Sequence, residues 1–77
     1  MSPIKLFIEG LGWRYLGDCG CTPKRAIFFN ALYPNKQMWV GNEFLEVRKK
    51  TTGSTYDVIG KSSFNNYEVV YDYWINK

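Results

Sequence analysis

The sequence predicts an α+β fold: a small antiparallel β-meander of about five strands, open or curled into an open barrel, with one C-terminal α-helix. Three observations carry that expectation. Turn-forming residues interrupt the chain about every eight to twelve residues, the spacing of a meander. The segments between the interruptions are short and rich in aromatic and β-branched residues, which suit a pleated, half-buried surface. The last stretch departs from this pattern, because its polar residues recur every fourth position.

The breaks fall at Gly10–Gly12, Gly17–Gly20, Tyr33-Pro34-Asn35-Lys36, Gly41-Asn42, Thr51–Ser54 and Gly60–Ser63. The segments between them, read as strands, are Ile4–Ile8, Trp13–Leu16, Arg25–Leu32, Gln37–Val40, Phe44–Lys50 and Thr55–Ile59. Thr22-Pro23 resembles a helix start, with a cap residue and a proline at the first helical position. On a helical wheel, however, Ala26, Ile27, Phe28, Phe29, Ala31, Leu32 and Tyr33 surround the axis. A helix apolar on every side has nowhere to sit in so small a protein, so the segment is read as a central strand covered on both faces. Tyr33-Pro34-Asn35-Lys36 fits a type I turn, since proline at the second position pre-sets φ. Thr51-Thr52-Gly53-Ser54 reads as a hairpin loop.

For residues 65–76, propensity favours strand and pattern favours helix. Asn65 and Glu68 have capping-box spacing, and Phe64 and Val69 have that of a hydrophobic staple. Glu68, Asp72 and Asn76 form a polar stripe that leaves Tyr67, Val70, Tyr71 and Trp74 for the core. Packing overrides propensity, so the stretch is expected to be helical.

With 77 residues the chain is expected to be a single compact domain over 1–77, stabilised by roughly 3–5 kcal/mol. Three Trp, six Tyr and five Phe supply the apolar area, with rings to spare for binding. Leu6-Phe7-Ile8 is cut short by Glu9 and Gly10, and no run approaches the ~20 apolar residues of a membrane span. Only two cysteines are present, one residue apart, too few for a disulfide scaffold. A soluble, cytoplasmic protein, monomeric or homodimeric and not associated with membranes, is expected.

The absence of histidine removes the commonest general base and metal ligand. Without it no triad of the usual kind assembles, and no paired carboxylate stands out. Gly10-Leu11-Gly12 lacks the third glycine and following helix of a phosphate loop. Cys19-Gly20-Cys21 offers two thiolates where zinc takes four ligands, so it reads as two small residues in a glycine-rich turn; a disulfide across so short a loop would be strained and readily reduced. The chain is therefore expected not to be an enzyme, and to hold neither metal nor cofactor.

What remains is cations interleaved with rings. Trp13-Arg14-Tyr15 sets a cation between two aromatics, Lys24-Arg25 and Arg48-Lys49-Lys50 are two basic clusters, and Trp39 lies between them. Trp, Tyr and Arg are the residues that most often carry interface energy. The first expectation is thus a small binding module that docks on another protein through these nine residues, as an accessory or inhibitor protein. The alternative is a nucleic-acid-binding sheet in which rings stack on bases and Lys or Arg contact phosphates. The net charge of +3 is too small to put the alternative first.

Overall fold

A computed structural model describes residues 2–22 and 24–77 of the chain. The elements run α1 (Pro3–Gly10), β1 (Arg14–Asp18), β2 (Ala26–Phe29), β3 (Lys36–Val40), β4 (Phe44–Lys50), β5 (Tyr56–Ser63) and α2 (Tyr67–Trp74). The strands form one antiparallel sheet in sequential order, open at β1 and β5. The meander and the C-terminal helix are those the sequence predicts, and the sheet does not close into a barrel.

The first segment corrects the sequence reading. Ile4–Ile8 is helical, because Ser2 caps α1 by accepting the Lys5 amide on its hydroxyl (3.4 Å) and Pro3 opens the first turn. Ile4 and Ile8, one turn apart, are fully buried on the face that lies against β3. Phe7 meets Tyr67 and Tyr71 of α2 edge-on at 5.3 and 5.5 Å. Both helices therefore cover the same side of the sheet.

The register sorts the strands into two faces. Ala26, Phe28, Met38, Val40, Leu45 and Val47 are cross-strand neighbours on the helix side, and they join Ile4, Ile8, Trp13, Tyr71 and Ile75 in one buried cluster. On α2, Tyr71 is buried while Tyr67, Val70 and Trp74 pack against that cluster, with Glu68, Asp72 and Asn76 exposed, as the polar stripe predicts.

Three local expectations are corrected. The strand placed at Arg25–Leu32 is shorter and covered on one face only: Ala26 and Phe28 are buried, Ile27 is half-buried and Phe29 is exposed. It ends where the Asn30 side chain accepts the Leu32 amide (3.0 Å) and starts the turn. Pro23, the candidate first helical residue, lies outside the described residues. Gly60 is no break, since β5 runs through it beneath the Trp74 indole. The capping-box and staple pairs of α2 are not used, because Asn66 is the cap residue and Val69 is exposed. The Asn66 carboxamide oxygen instead accepts the Ser63 amide (2.8 Å) and hydroxyl (3.1 Å), fixing the turn out of β5.

The two turns singled out in the sequence form as expected. The Lys36 amide donates to the Tyr33 carbonyl at 3.0 Å, closing Tyr33–Lys36. The hairpin loop is held by Thr51 and Thr55, with Gly53 at φ +78° supplying the left-handed residue it requires.

Candidate binding face

The helices leave the other side of the sheet uncovered. Two cross-strand rows run across it. One passes through Gly17, Ile27, Trp39, Glu46 and Lys61, the other through Arg14, Phe29, Gln37, Arg48 and Val58. Phe44 and Ser63 pair beyond the first row.

Glu46 organises the centre. Its carboxylate accepts Arg48 Nη2 at 2.7 Å and Nε at 3.2 Å, and Arg25 Nη1 at 3.1 and 3.2 Å to the two oxygens. Lys61 Nζ stands 4.0 Å away. Only 4% of Glu46 is exposed, although it lies on a face that no helix covers. The guanidinium groups are its shield, and charge-assisted hydrogen bonds of this kind are the strong ones.

The rings are tied to the same charges. The Arg48 guanidinium lies over the Trp39 indole, 3.7 Å from its centroid, a cation–π contact. Arg25 stands 6.0 Å from the Trp39 and Phe44 rings, and Lys61 5.1 Å from Phe44. Trp39 Nε1 donates to the Gln37 side-chain oxygen (3.0 Å), which fixes the plane of the indole. Around this centre Phe29 and Val58 are exposed apolar residues of the second row.

Of the nine residues singled out in the sequence, three meet here: Arg25, Trp39 and Arg48. Trp13 belongs to the core, with 2% exposure, its indole nitrogen donating to the Tyr71 hydroxyl (3.0 Å) and its ring stacked on Tyr33. Arg14 is exposed at the end of the second row. Tyr15 is on the helix side, edge-on to Phe28 and beneath Lys5. Lys24 pairs with Asp18 (3.1 Å). This hydrogen bond, joined by one from Tyr15, holds the Asp18 carboxyl below its usual range, and the bond to Asp18 in turn raises Lys24. Lys49 is on the helix side and donates to the Lys77 carbonyl (2.6 Å), while Lys50 is exposed at the end of β4. The two basic clusters thus contribute one arginine each to the uncovered face, and a carboxylate lies between them.

Glu46, Phe44, Lys61 and Gln37 were not singled out by the sequence. Period-two alternation puts Phe44, Glu46 and Arg48 on one face of a strand, and that was the available signal. The pairing that brings Arg25 to them is long-range.

Elsewhere a cleft of about 460 Å3 is lined by Ser2, Lys5, Asp18, Lys24 and Arg25 together with the ends of β2 and β3. In the connection between β1 and β2, where the sequence reading places two small residues of a turn, Cys19 and Cys21 are joined in a disulfide, next in sequence to the cleft residue Asp18. Among the described residues no group of three or more potential metal ligands occurs, and no helix is long and apolar enough to cross a membrane. No protein-family model matches the chain, and neither a curated protein nor a solved structure shows significant similarity to it.

Proposed function

We propose that the chain is a non-enzymatic, cytoplasmic binding module whose helix-free sheet face docks on another protein. The observation that carries this reading is the Arg25–Glu46–Arg48 network clamped over Trp39 on an otherwise uncovered sheet. Trp and Arg dominate the energetically important residues of protein interfaces. Here their side chains are already held by a carboxylate, an indole and a carboxamide, so little rotamer freedom is left to lose on docking. The surrounding Phe29 and Val58 supply apolar contact, and Arg14 and Lys61 a polar rim. The matching partner surface is apolar opposite Phe29 and Val58 and acidic opposite Arg14 and Lys61.

The geometry favours protein over nucleic acid. Arg48 occupies one face of the Trp39 ring where a base would stack, and Glu46 cancels part of the charge that would meet phosphate.

The reading is tested by affinity capture from the source cell, quantified by mass spectrometry, with wild type, Trp39→Ala and Val69→Glu as baits. A protein held by wild type and by Val69→Glu, on the opposite side of the molecule, but lost with Trp39→Ala supports it. Equal capture by all three overturns it. Saturable, salt-sensitive quenching of Trp39 fluorescence by mixed-sequence single-stranded DNA would move the assignment to nucleic acid.

A further inference from the structure

We propose that the Cys19–Cys21 disulfide is a thiol–disulfide exchange site for small anionic thiols, and that its state controls how firmly Arg25 is seated on Glu46. The bond joins residues two apart in sequence. A cross-link across so short a loop removes little entropy from the unfolded chain, because the gain grows with loop length. It joins no two elements that the sheet does not already join, so the fold has little need of it.

Its placement suits exchange. Cys19 is buried, whereas Cys21 is half-buried between exposed Gly20 and Thr22, which makes Cys21 the accessible sulfur. The rate of exchange depends on which sulfur is attacked and on access to it. Lys5, Lys24 and Arg25 line the cleft; Lys24 is paired with Asp18 and Arg25 with Glu46, which leaves Lys5 as its surplus cation. An excess of positive charge attracts an anionic thiol such as glutathione and stabilises the thiolates on both sides of the reaction.

The chemistry balances without further components. A small thiolate attacks Cys21 Sγ, the sulfur–sulfur bond breaks, and its electron pair leaves on Cys19 Sγ, which takes a proton from water. A second small thiolate then attacks the small thiol's sulfur in the mixed disulfide. Cys21 leaves as a thiolate and is protonated in turn. Two electrons enter the protein and two small thiols leave as their own disulfide; the reverse sequence closes the bond.

The coupling to the sheet face runs through one backbone hydrogen bond. The Cys19 amide donates to the Arg25 carbonyl at 2.8 Å and closes the turn whose far end carries the Glu46 partner. Opening the disulfide frees the residue that makes this bond.

The test equilibrates wild-type protein anaerobically with glutathione at graded ratios of reduced to oxidised form, then counts free thiols by alkylation and intact mass. Two thiols should appear together in reduced mixtures at millimolar total glutathione and vanish in oxidised ones. Hydrogen exchange of the Cys19 amide should rise about tenfold on reduction while amides of β3 and β4 hold their protection. Cys19→Ser, unable to expel the bound thiol, should accumulate a glutathione adduct on Cys21. A bond that survives the most reduced mixture, two thiols already free in oxidised protein, or a Cys19 amide indifferent to redox state would each overturn the proposal.

Discussion

At the scale of single residues, the chain spends polar groups where they cannot be left unpaired. Trp13 and Tyr71 show this, since an indole N–H and a phenol meet in the core at 3.0 Å between residues 58 apart in sequence. Replacing Tyr71 by Phe leaves a buried donor without an acceptor and should cost about 1–3 kcal/mol. Replacing Trp13 by Phe should cost at least as much, because packing against Tyr33 is lost as well. The double variant should cost less than the sum, and urea unfolding of all four proteins measures the difference; strict additivity would remove the bond from the account. Asp18 makes a second residue-scale case. Its folded-state carboxyl is held down by Lys24 first and Tyr15 second. A depressed carboxyl stabilises the fold above its ordinary value of about 3.9, and that contribution is lost as pH falls through the folded value. Lys24→Ala should move the Asp18 midpoint up in a carboxyl-detected NMR titration, and an unmoved midpoint would show that the ion pair does not hold in solution. The sequence displayed Trp13 as a ring beside a cation. Its burial could not be read there, because the Tyr71 hydroxyl that accepts its proton reaches it only through the packing of α2.

Among the elements, what was legible depended on whether local or distant contacts decide the structure. The meander was legible because turn chemistry is local: Pro34 and Gly53 sit where their turns need them. α1 was harder. Ile4–Ile8 has strand-like residues over a strand-like length, and the helix rests on the Ser2-Pro3 start and on two isoleucines buried against β3. Residues 65–76 posed the same conflict, and there the four-residue polar stripe gave the right answer while the capping-box pair did not. Gly60 illustrates a different limit. In sequence it looks like a turn residue, but it lies mid-strand because the Trp74 indole rests where a side chain would be. A Cβ at this position would stand closer to Trp74 than real Cβ contacts allow, and a fused ring has no flexible tip to move aside. Gly60→Ala should therefore lift α2 from β5 and cost about 1–3 kcal/mol, with the loss concentrated in amide protection of α2 and Tyr56–Ser63. An unchanged urea midpoint would mean that the helix shifts freely over the strand. Gly53→Ala strains the hairpin backbone but touches nothing in the core, so it should leave α2 protection intact.

On the scale of the whole molecule, one sheet has two dissimilar faces. The helix side is filled by apolar side chains, and the uncovered side is held together by charge and π-contacts. Glu46 is where the second arrangement can be tested for what it contributes to the first. It receives hydrogen bonds from Arg25 on one side and Arg48 on the other, and it is almost entirely buried by them. Removing the carboxylate leaves two guanidinium groups converging on an empty acceptor. Their side chains are about one-sixth exposed, at 17% and 16%, so water relieves part of that repulsion and the cost falls below that of a fully buried broken pair. Glu46→Ala should destabilise the protein by about 2 kcal/mol, and Glu46→Gln, which keeps an acceptor, by about 1 kcal/mol. In a domain of this size 2 kcal/mol lowers Tm by roughly 8–16 °C, a large share of its margin. Because the residual repulsion is partly screened, adding salt should narrow the gap between Glu46→Ala and wild type. The slope of the urea transition should stay constant, showing that the apolar face unfolds as one unit in both proteins. A Glu46→Ala protein as stable as wild type would mean that the uncovered face adds nothing to folding.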